Sequence, residues 1–386
     1  MSYTAKHLST GAQYQRSSIL INPHRQTTAT PHDHQKANPD LDSFHRTLPH
    51  AGETTLHSLP SLATSLGLSH VFVKDESTRF GLPSFKILGA SWAIHRAVCA
   101  QLALPTSLST TDLAAKLQQR NEHNVRLVTC TEGNWGRACA RMAKYLAIPI
   151  TVYVPAFMNE YTRNLIRGEG ADVRVLEGGS YDDAIAAVQK DSEATGATMV
   201  MDTSWEGYTE FPQWVTEGYS TCLNETDRQI AAQTNNKPAT LAIASVGVGS
   251  WAHAVASHYT TLNPPTKIIT VESEAAPSFK ESLHSGHITP LETGDTVMNG
   301  MNCGTTSLSA WPVLRDGVYA AVTVTDREAH REVQFLQAQG VNAGPCGAAT
   351  LAALRKVCAE IDVKEMREAV VVLFSTEGTR EYEVPT

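Results

Sequence analysis

The sequence has 386 residues, 42% of them hydrophobic, and a formal net charge of −8. That length exceeds what one small core handles and suits two domains, or one large domain carrying an insertion. The acidic balance, with no basic stripe, argues against a nucleic-acid partner, and no apolar run approaches the roughly 20 residues that span a bilayer.

Residues 1–43 read as a polar N-terminal arm, and its opening MSYTAKHLSTGAQYQRSS lacks a secretory apolar core. The PHDHQ stretch at 31–35 has no partner cluster for a metal and is taken as part of the solvated arm. The seven cysteines are scattered and never spaced C-x-x-C, the pattern of reduced thiols in a cytoplasmic protein.

From about His70, short apolar runs alternate with amphipathic ones. HVFVKDE is rich in β formers, and the helix behind it places Ile87, Ser91, Ile94, Val98 and Leu102 on one face. VRLVTCT precedes a helix with Trp135, Cys139, Met142, Ala143 and Leu146 on one stripe. ITVYVPA is a strand, followed by a helix stopping near Gly168–Gly170, and ADVRVLEG is the next strand. Ser180 with Asp183 marks another helix start by a capping-box pattern. TMVMDT, a long helix, LAIASV, a helix, KIITVE and AAVTVTD follow, with Thr325 and Glu328 as a second capping box. A final helix from Ala348 leads to VVVLFS.

Strands apolar on both faces and separated by helices predict an α/β fold with a doubly wound, mostly parallel sheet and a second, smaller α/β domain inserted. The expected division is 44–90 with 206–386 as the large domain and 91–205 as the smaller one. Sites in such folds lie at the carboxyl ends of strands. Four loops sit at such ends: RFGLPSFK, EGNWG, VGVGS and STEG. Gly247 and Gly249 let the backbone approach a phosphate, and the following helix offers free N–H groups. Taken alone, the loop also fits a dinucleotide fingerprint, with Ala252 as the third small residue and Glu272 as the acidic partner. Lys86 tilts the balance. Pyridoxal phosphate needs a lysine for its Schiff base, a phosphate cradle and a ring-nitrogen partner; Lys86, Gly247–Ser250 and Ser375 supply one each.

KDESTRFGLPSFKILGAS, TCTEGNWGRACA, DTSWEGYTEFPQW, VGVGSWAHAV, TVMNGMNCG and STEG occur in the order found in the diaminopropionate ammonia-lyases. These are pyridoxal-phosphate enzymes of fold type II, and the chain resembles them from about Phe44 to Glu377. The resemblance implies that Lys86 is the Schiff-base lysine and that Gly247, Val248, Gly249 and Ser250 hold the phosphate. Ser375 would face the pyridine nitrogen, and Asn134 would lie near the phenolic oxygen. Thr131, Glu132, Gly133, Asn134 and Trp135 would grip the substrate carboxylate, and Asp202 would contact the substrate. The implied reaction is β-elimination from a small amino acid, 2,3-diaminopropionate or a relative, giving a 2-oxo acid and ammonia. Lys86 would take the α-proton, with Glu132 or Asp202 as second base; a homodimer is also implied.

The family usually carries aspartate at the position of Glu132 and histidine at that of Trp135. Glutamate moves the carboxylate by about one C–C bond, roughly 1.5 Å. GPCGAAT (344–350) also lacks a glutamate that many relatives carry there. The competing expectations are a β-replacement synthase on an O-activated serine, a nicotinamide-dependent dehydrogenase and a catalytically inactive relative.

Overall fold

The computed structural model describes residues 2–26, 39–119, 125–131, 133–156, 158–177, 181–360 and 368–385. Strands β1 (Ser2–Lys6) and β2 (Gln13–Ser17) pair as an antiparallel hairpin, and β3 (Ile19–Ile21) follows. Helix α1 (Pro39–Thr47), β4 (Leu56–Ser58) and α2 (Pro60–Leu66) lead into β5 (His70–Asp75) and α3 (Lys86–Gln101). The middle of the chain runs α4 (Thr110–Gln119), β6 (Leu127–Cys130), α5 (Asn134–Leu146), β7 (Ile150–Pro155) and α6 (Glu160–Gly168). It ends with β8 (Asp172–Leu176), α7 (Tyr181–Thr195) and β9 (Thr198–Met199).

Next come α8 (Glu210–Gly218), α9 (Ser220–Gln233), β10 (Leu241–Ser245), α10 (Ser250–Tyr259) and β11 (Lys267–Ser273). The last elements are α11 (Ser278–Ser285), α12 (Ala310–Gly317), β12 (Ala320–Val324), α13 (Asp326–Ala338), α14 (Pro345–Glu360) and β13 (Val370–Ser375).

Two parallel sheets organise these elements. The larger has the order β3-β12-β11-β10-β13-β5-β4, with parallel pairing from β12 through β5 and an antiparallel strand at each edge. The smaller has the order β8-β7-β6-β9 and is parallel throughout. Every residue of β10, β12 and β13 is buried, because helices cover both faces. Val370, Val372 and Phe374 share a core with α3, α8 and α10, whereas Val371 and Leu373 pack with α13 and α14. That alternation is the strand's period of two read out as two cores. The sheet is doubly wound as expected.

Topology then fixes where a ligand sits. The chain passes from β10 outward to β11 and β12, then returns to place β13 between β10 and β5. The order therefore reverses at β10 and β13, and the crevice beyond their carboxyl ends is the natural binding place. The turns after β5, β10 and β13 meet there.

The turn before Lys86 is anchored from below by buried charge. Arg79 donates to Glu76 at 2.7 Å and to Glu225 at 3.0 Å, and Lys74 pairs with Glu225 and with the Thr54 carbonyl at 2.7 Å. Burial opposes the charge on Glu76, but Arg79 outweighs it and holds the carboxyl below its ordinary range. Removing one partner of such a cluster leaves an uncompensated buried charge, at a cost of roughly 3–5 kcal/mol.

Several elements differ from the sequence expectation. The segment expected as a polar arm carries the hairpin, and β3 pairs antiparallel with β12 through Ile19–Ile21; three residues are too few for periodicity to reveal. PHDHQ and Ser180 lie outside the described residues. Helix α3 is buried from Ile87 through His95, not on one stripe, because both α5 and α8 pack against it. The long helix after TMVMDT is two helices, α8 and α9, that break at Tyr219. A Cβ on Gly218 would lie 2.5 Å from the Leu88 carbonyl oxygen, so this end of α8 presses directly on the α3 backbone. The final helix starts at Pro345, where a missing N–H costs nothing, and not at Ala348. Thr325 and Glu328 do form a reciprocal capping box. Among the described residues no helix is long and apolar enough to cross a membrane.

Candidate active site

Lys86 is the first residue of α3, and its side chain is 18% exposed. Its Nζ donates to Asp202 Oδ2 at 2.5 Å. The two residues are 116 positions apart and come from different sheet edges, since Asp202 follows β9. Phe85 and Trp135 place their ring centroids 5.2 and 5.8 Å from Nζ, which is cation–π range. Burial alone would drive the ammonium's pKa down; the Asp202 carboxylate outweighs it and holds Lys86 above the ordinary lysine range.

Beside it lies the turn from β10 to α10. Gly249 precedes the helix with φ of 102°, a conformation that favours glycine. Gly247 is pressed against a neighbouring loop: a Cβ there would lie 2.6 Å from the Gly300 carbonyl oxygen. Among the described residues, no hydrogen bond within the chain takes up the N–H of Gly247, Val248, Gly249 or Ser250. Four backbone donors at a helix start, with the helix dipole behind them, form an anion cradle.

The turn from β6 to α5 is built differently. Thr131 Oγ1 accepts from the N–H groups of Gly133 and Gly136, each at 2.9 Å. The Thr131 N–H itself goes to the Tyr153 carbonyl. Thr131 and Gly133 therefore spend their donors inside the turn and do not present them to a ligand. Asn134 and Trp135 hold the first-turn N–H groups left without a partner among the described residues. Glu132 lies outside the described residues. Trp135 is 5% exposed and donates its indole N–H to Thr129 Oγ1 and to the Val200 carbonyl. Its ring is thereby fixed as an apolar wall beside Lys86.

The third wall is the turn after β13. Its backbone zips to the Lys86 turn, with Phe85 N–H donating to Thr376 and Gly378 N–H to Pro83. Ser375 is fully buried, and its Oγ has no hydrogen-bond partner among the described residues. It faces Gly347, where a Cβ would come within 2.6 Å of Oγ. Thr376 and Glu377, not Ser375, line the cavity. That cavity encloses about 1060 Å³, and Lys86, Asp202, Asn134, Trp135, Gly247 and Ser250 are among the residues around it.

These residues fit pyridoxal phosphate. Lys86 would meet an aldehyde and the α10 turn a phosphate, and the Ser375 hydroxyl, behind the cavity wall and unpaired among the described residues, would be the donor nearest a ring nitrogen. The dinucleotide alternative loses its acidic residue. Glu272 is fully buried and accepts from the N–H groups of Phe279 and Lys280 at 2.8 and 2.9 Å, capping α11. Burial pushes its carboxyl up to about 8.

Sequence reasoning passed over Glu377. Its carboxylate is 4% exposed and accepts from Asn134 Nδ2 at 2.9 Å. The only sign in the sequence is an acid directly after a strand end, within STEG. It likewise passed over the wall of Met158, Thr162, Leu165 and Ile166 on and before α6.

The family model for pyridoxal-phosphate dependent enzymes matches residues 47–376. The diaminopropionate ammonia-lyase of Salmonella typhimurium is 32% identical over 290 residues, covering 74% of this chain and 71% of its own length. That of Escherichia coli is 30% identical over 352 residues, with 87% and 86% covered. A crystal structure of the Escherichia coli diaminopropionate ammonia lyase in complex with D-serine has a TM-score of 0.84 at 26% identity, over 98% of this chain and 95% of that one. The same lyase with an aminoacrylate–PLP azomethine reaction intermediate has a TM-score of 0.83.

Proposed function

Because the chain belongs to the pyridoxal-phosphate dependent enzymes and, among them, to the diaminopropionate ammonia-lyases, we propose that it converts 2,3-diaminopropionate and one water to pyruvate and two molecules of ammonia. It is a carbon–nitrogen lyase of fold type II that works by β-elimination, and pyridoxal phosphate is its cofactor. Bound in the cavity, the cofactor supplies an electron sink for the charge left when the α-proton departs.

The chain's own residues do the rest. Lys86 holds the cofactor, and its amine takes the α-proton, help worth roughly 10²–10⁴-fold. Asp202, 2.5 Å away, stabilises the ammonium that results and stands ready to pass a proton to the departing amine. The N–H groups of Gly247, Val248, Gly249 and Ser250 bind the phosphate. Ser375 would donate to the ring nitrogen without protonating it, and Asn134 would face the phenolic oxygen. The start of α5, from Asn134 and Trp135, receives the substrate carboxylate. Glu132 is assigned as the second base by position in the family's motif.

The Lys86–Asp202 pair carries this reading, since it sets a lysine and a carboxylate from two sheets at one point between two helix starts. Residues 44–90 and 206–386 are read as the cofactor-binding unit and 91–205 as the substrate-gripping one. The scattered cysteine spacing, with no C-x-x-C, supports a cytoplasmic enzyme, and the family resemblance supports a homodimer, which sedimentation would test. The relatives are ammonia-lyases, so β-replacement is not carried forward.

The test is to supply protein loaded with pyridoxal phosphate with each enantiomer of 2,3-diaminopropionate, serine and O-acetylserine, and to measure released ammonia and oxo acid. Pyruvate from diaminopropionate is the expected result. Turnover of another amino acid with none of diaminopropionate would retire the named substrate.

A further inference from the structure

Asn134 and Glu377 come from opposite sides of the cavity. Asn134 opens α5 beside the smaller sheet, and Glu377 lies two residues beyond β13 of the larger one. Their side chains meet at 2.9 Å, Asn134 Nδ2 donating to Glu377 Oε2. The other carboxylate oxygen accepts from the Cys346 N–H at 3.3 Å and lies 3.9 Å from Arg380 Nε. Glu377 is thus held at both oxygens before any ligand enters.

The carboxylate decides which way the amide points. An ionised carboxylate only accepts, so the amide must turn its NH2 half toward Glu377. The same nitrogen keeps a second N–H. Without Glu377, no other side-chain partner among the described residues chooses between the amide's two orientations.

The backbone leaves room for this arrangement at one position. Gly344 donates its N–H to the Glu377 carbonyl at 2.9 Å. A Cβ on Gly344 would lie 3.0 Å from Glu377 Cγ, 3.1 Å from Oε1 and 2.4 Å from the Gly378 carbonyl oxygen. A side chain at 344 clashes first with the Gly378 carbonyl, next to Glu377, and crowds the carboxylate as well.

We propose that Glu377 is a positioning residue: it orients the Asn134 amide so that its NH2 half, and not its carbonyl, faces the cofactor's phenolic oxygen. This rests on the pyridoxal-phosphate reading of the site. Glu377 does no chemistry itself; it acts through Asn134.

The test measures the visible absorption spectrum of the bound cofactor, the pH dependence of that spectrum and the cofactor dissociation constant. The variants are Asn134→Ala, Glu377→Ala, Glu377→Gln, Gly344→Ala and the double variant of Asn134→Ala with Glu377→Ala. Losing a charge-assisted hydrogen bond of this kind should weaken cofactor binding roughly tenfold. Glu377→Ala is expected to alter the spectrum as Asn134→Ala does, and the double variant to add nothing to Asn134→Ala. Gly344→Ala should reproduce the change with the glutamate still present. Should Glu377→Ala not fold, Glu377→Gln keeps the shape but no longer dictates the amide's direction, and it is expected to move the spectral pH midpoint.

Wild-type spectrum and affinity in the Glu377 variants would overturn the proposal. So would additive effects in the double variant, which would make Glu377 a structural residue independent of Asn134. Wild-type protein that takes up no pyridoxal phosphate would instead bring down the cofactor reading beneath it.

Discussion

Two helices begin at the cavity, and their first turns are made in opposite ways. The turn into α10 uses backbone alone: four N–H groups without partners among the described residues, set by a glycine of positive φ and by a second glycine lodged against Gly300. The turn into α5 is organised by a side chain, Thr131, which ties down two N–H groups and leaves Asn134 and Trp135 to face the ligand. A backbone cradle tolerates almost no substitution and serves a constant group, a phosphate. A turn held by side chains is tunable, and Glu132 and Trp135, two of the positions at which the resemblance implies a departure from the family, belong to it. On this reading the cofactor half of the cavity is the rigid one and the substrate half the adjustable one.

Lys86 stands between the halves, so its removal should silence both. Lys86→Ala is expected to lower kcat by about a thousandfold or more. Borohydride reduction should no longer fix the cofactor's mass to the peptide containing residue 86. Turnover unchanged in this variant would sink the whole account.

The next two variants divide the comparison. Gly247→Ala forces a Cβ to within 2.6 Å of a carbonyl oxygen, so the turn or the 299–303 loop must shift. The cofactor dissociation constant should rise about a hundredfold, close to 3 kcal/mol, with the substrate KM unchanged at saturating cofactor. Thr131→Val keeps the shape but orphans the N–H groups of Gly133 and Gly136. It should raise the substrate KM about tenfold and lower stability by roughly 1–3 kcal/mol, with cofactor affinity unchanged. Equal effects of both variants on cofactor and substrate would erase the distinction drawn between the turns.

The sequence made one half more legible than the other for the same physical reason. Apolar runs such as LAIAS and VVVLF, each closed by small residues, mark buried parallel strands and their carboxyl ends. The edge at which Lys86, Gly247 and Ser375 gather could therefore be placed from pattern alone. The pairing of Lys86 with Asp202 could not. It crosses 116 residues and two sheets, and the resemblance offered Asp202 only as a substrate contact or second base. The internal use of the Thr131 hydroxyl has no sequence signature, because a threonine after a strand reads equally as ligand or as turn. Glu377 was missed because its importance lies in the partner across the cavity. Strand β3 and the break between α8 and α9 escaped for a related reason: tertiary contact, not local propensity, sets them.

Asp202→Asn sharpens the comparison at the point where the halves join, and it should act in two directions at once. In the wild-type protein burial works to lower the Lys86 pKa, and the Asp202 carboxylate more than reverses it. The neutral amide keeps the shape and removes the charge, so the largest opposition to burial is gone and the Lys86 pKa falls. At a fixed pH well below that pKa, the neutral fraction of the amine grows about tenfold for each unit of the fall. Only the neutral amine condenses with an aldehyde. Uptake of pyridoxal phosphate by apoprotein should therefore be faster in Asp202→Asn at neutral pH, and its rise with pH should begin at a lower pH. Turnover should drop all the same, because no carboxylate remains beside Nζ to stabilise the ammonium formed by proton abstraction. Stopped-flow absorbance across pH 6–10 measures the first effect and pyruvate release the second. An uptake profile that does not move would show that Asp202 exerts no electrostatic hold on Lys86.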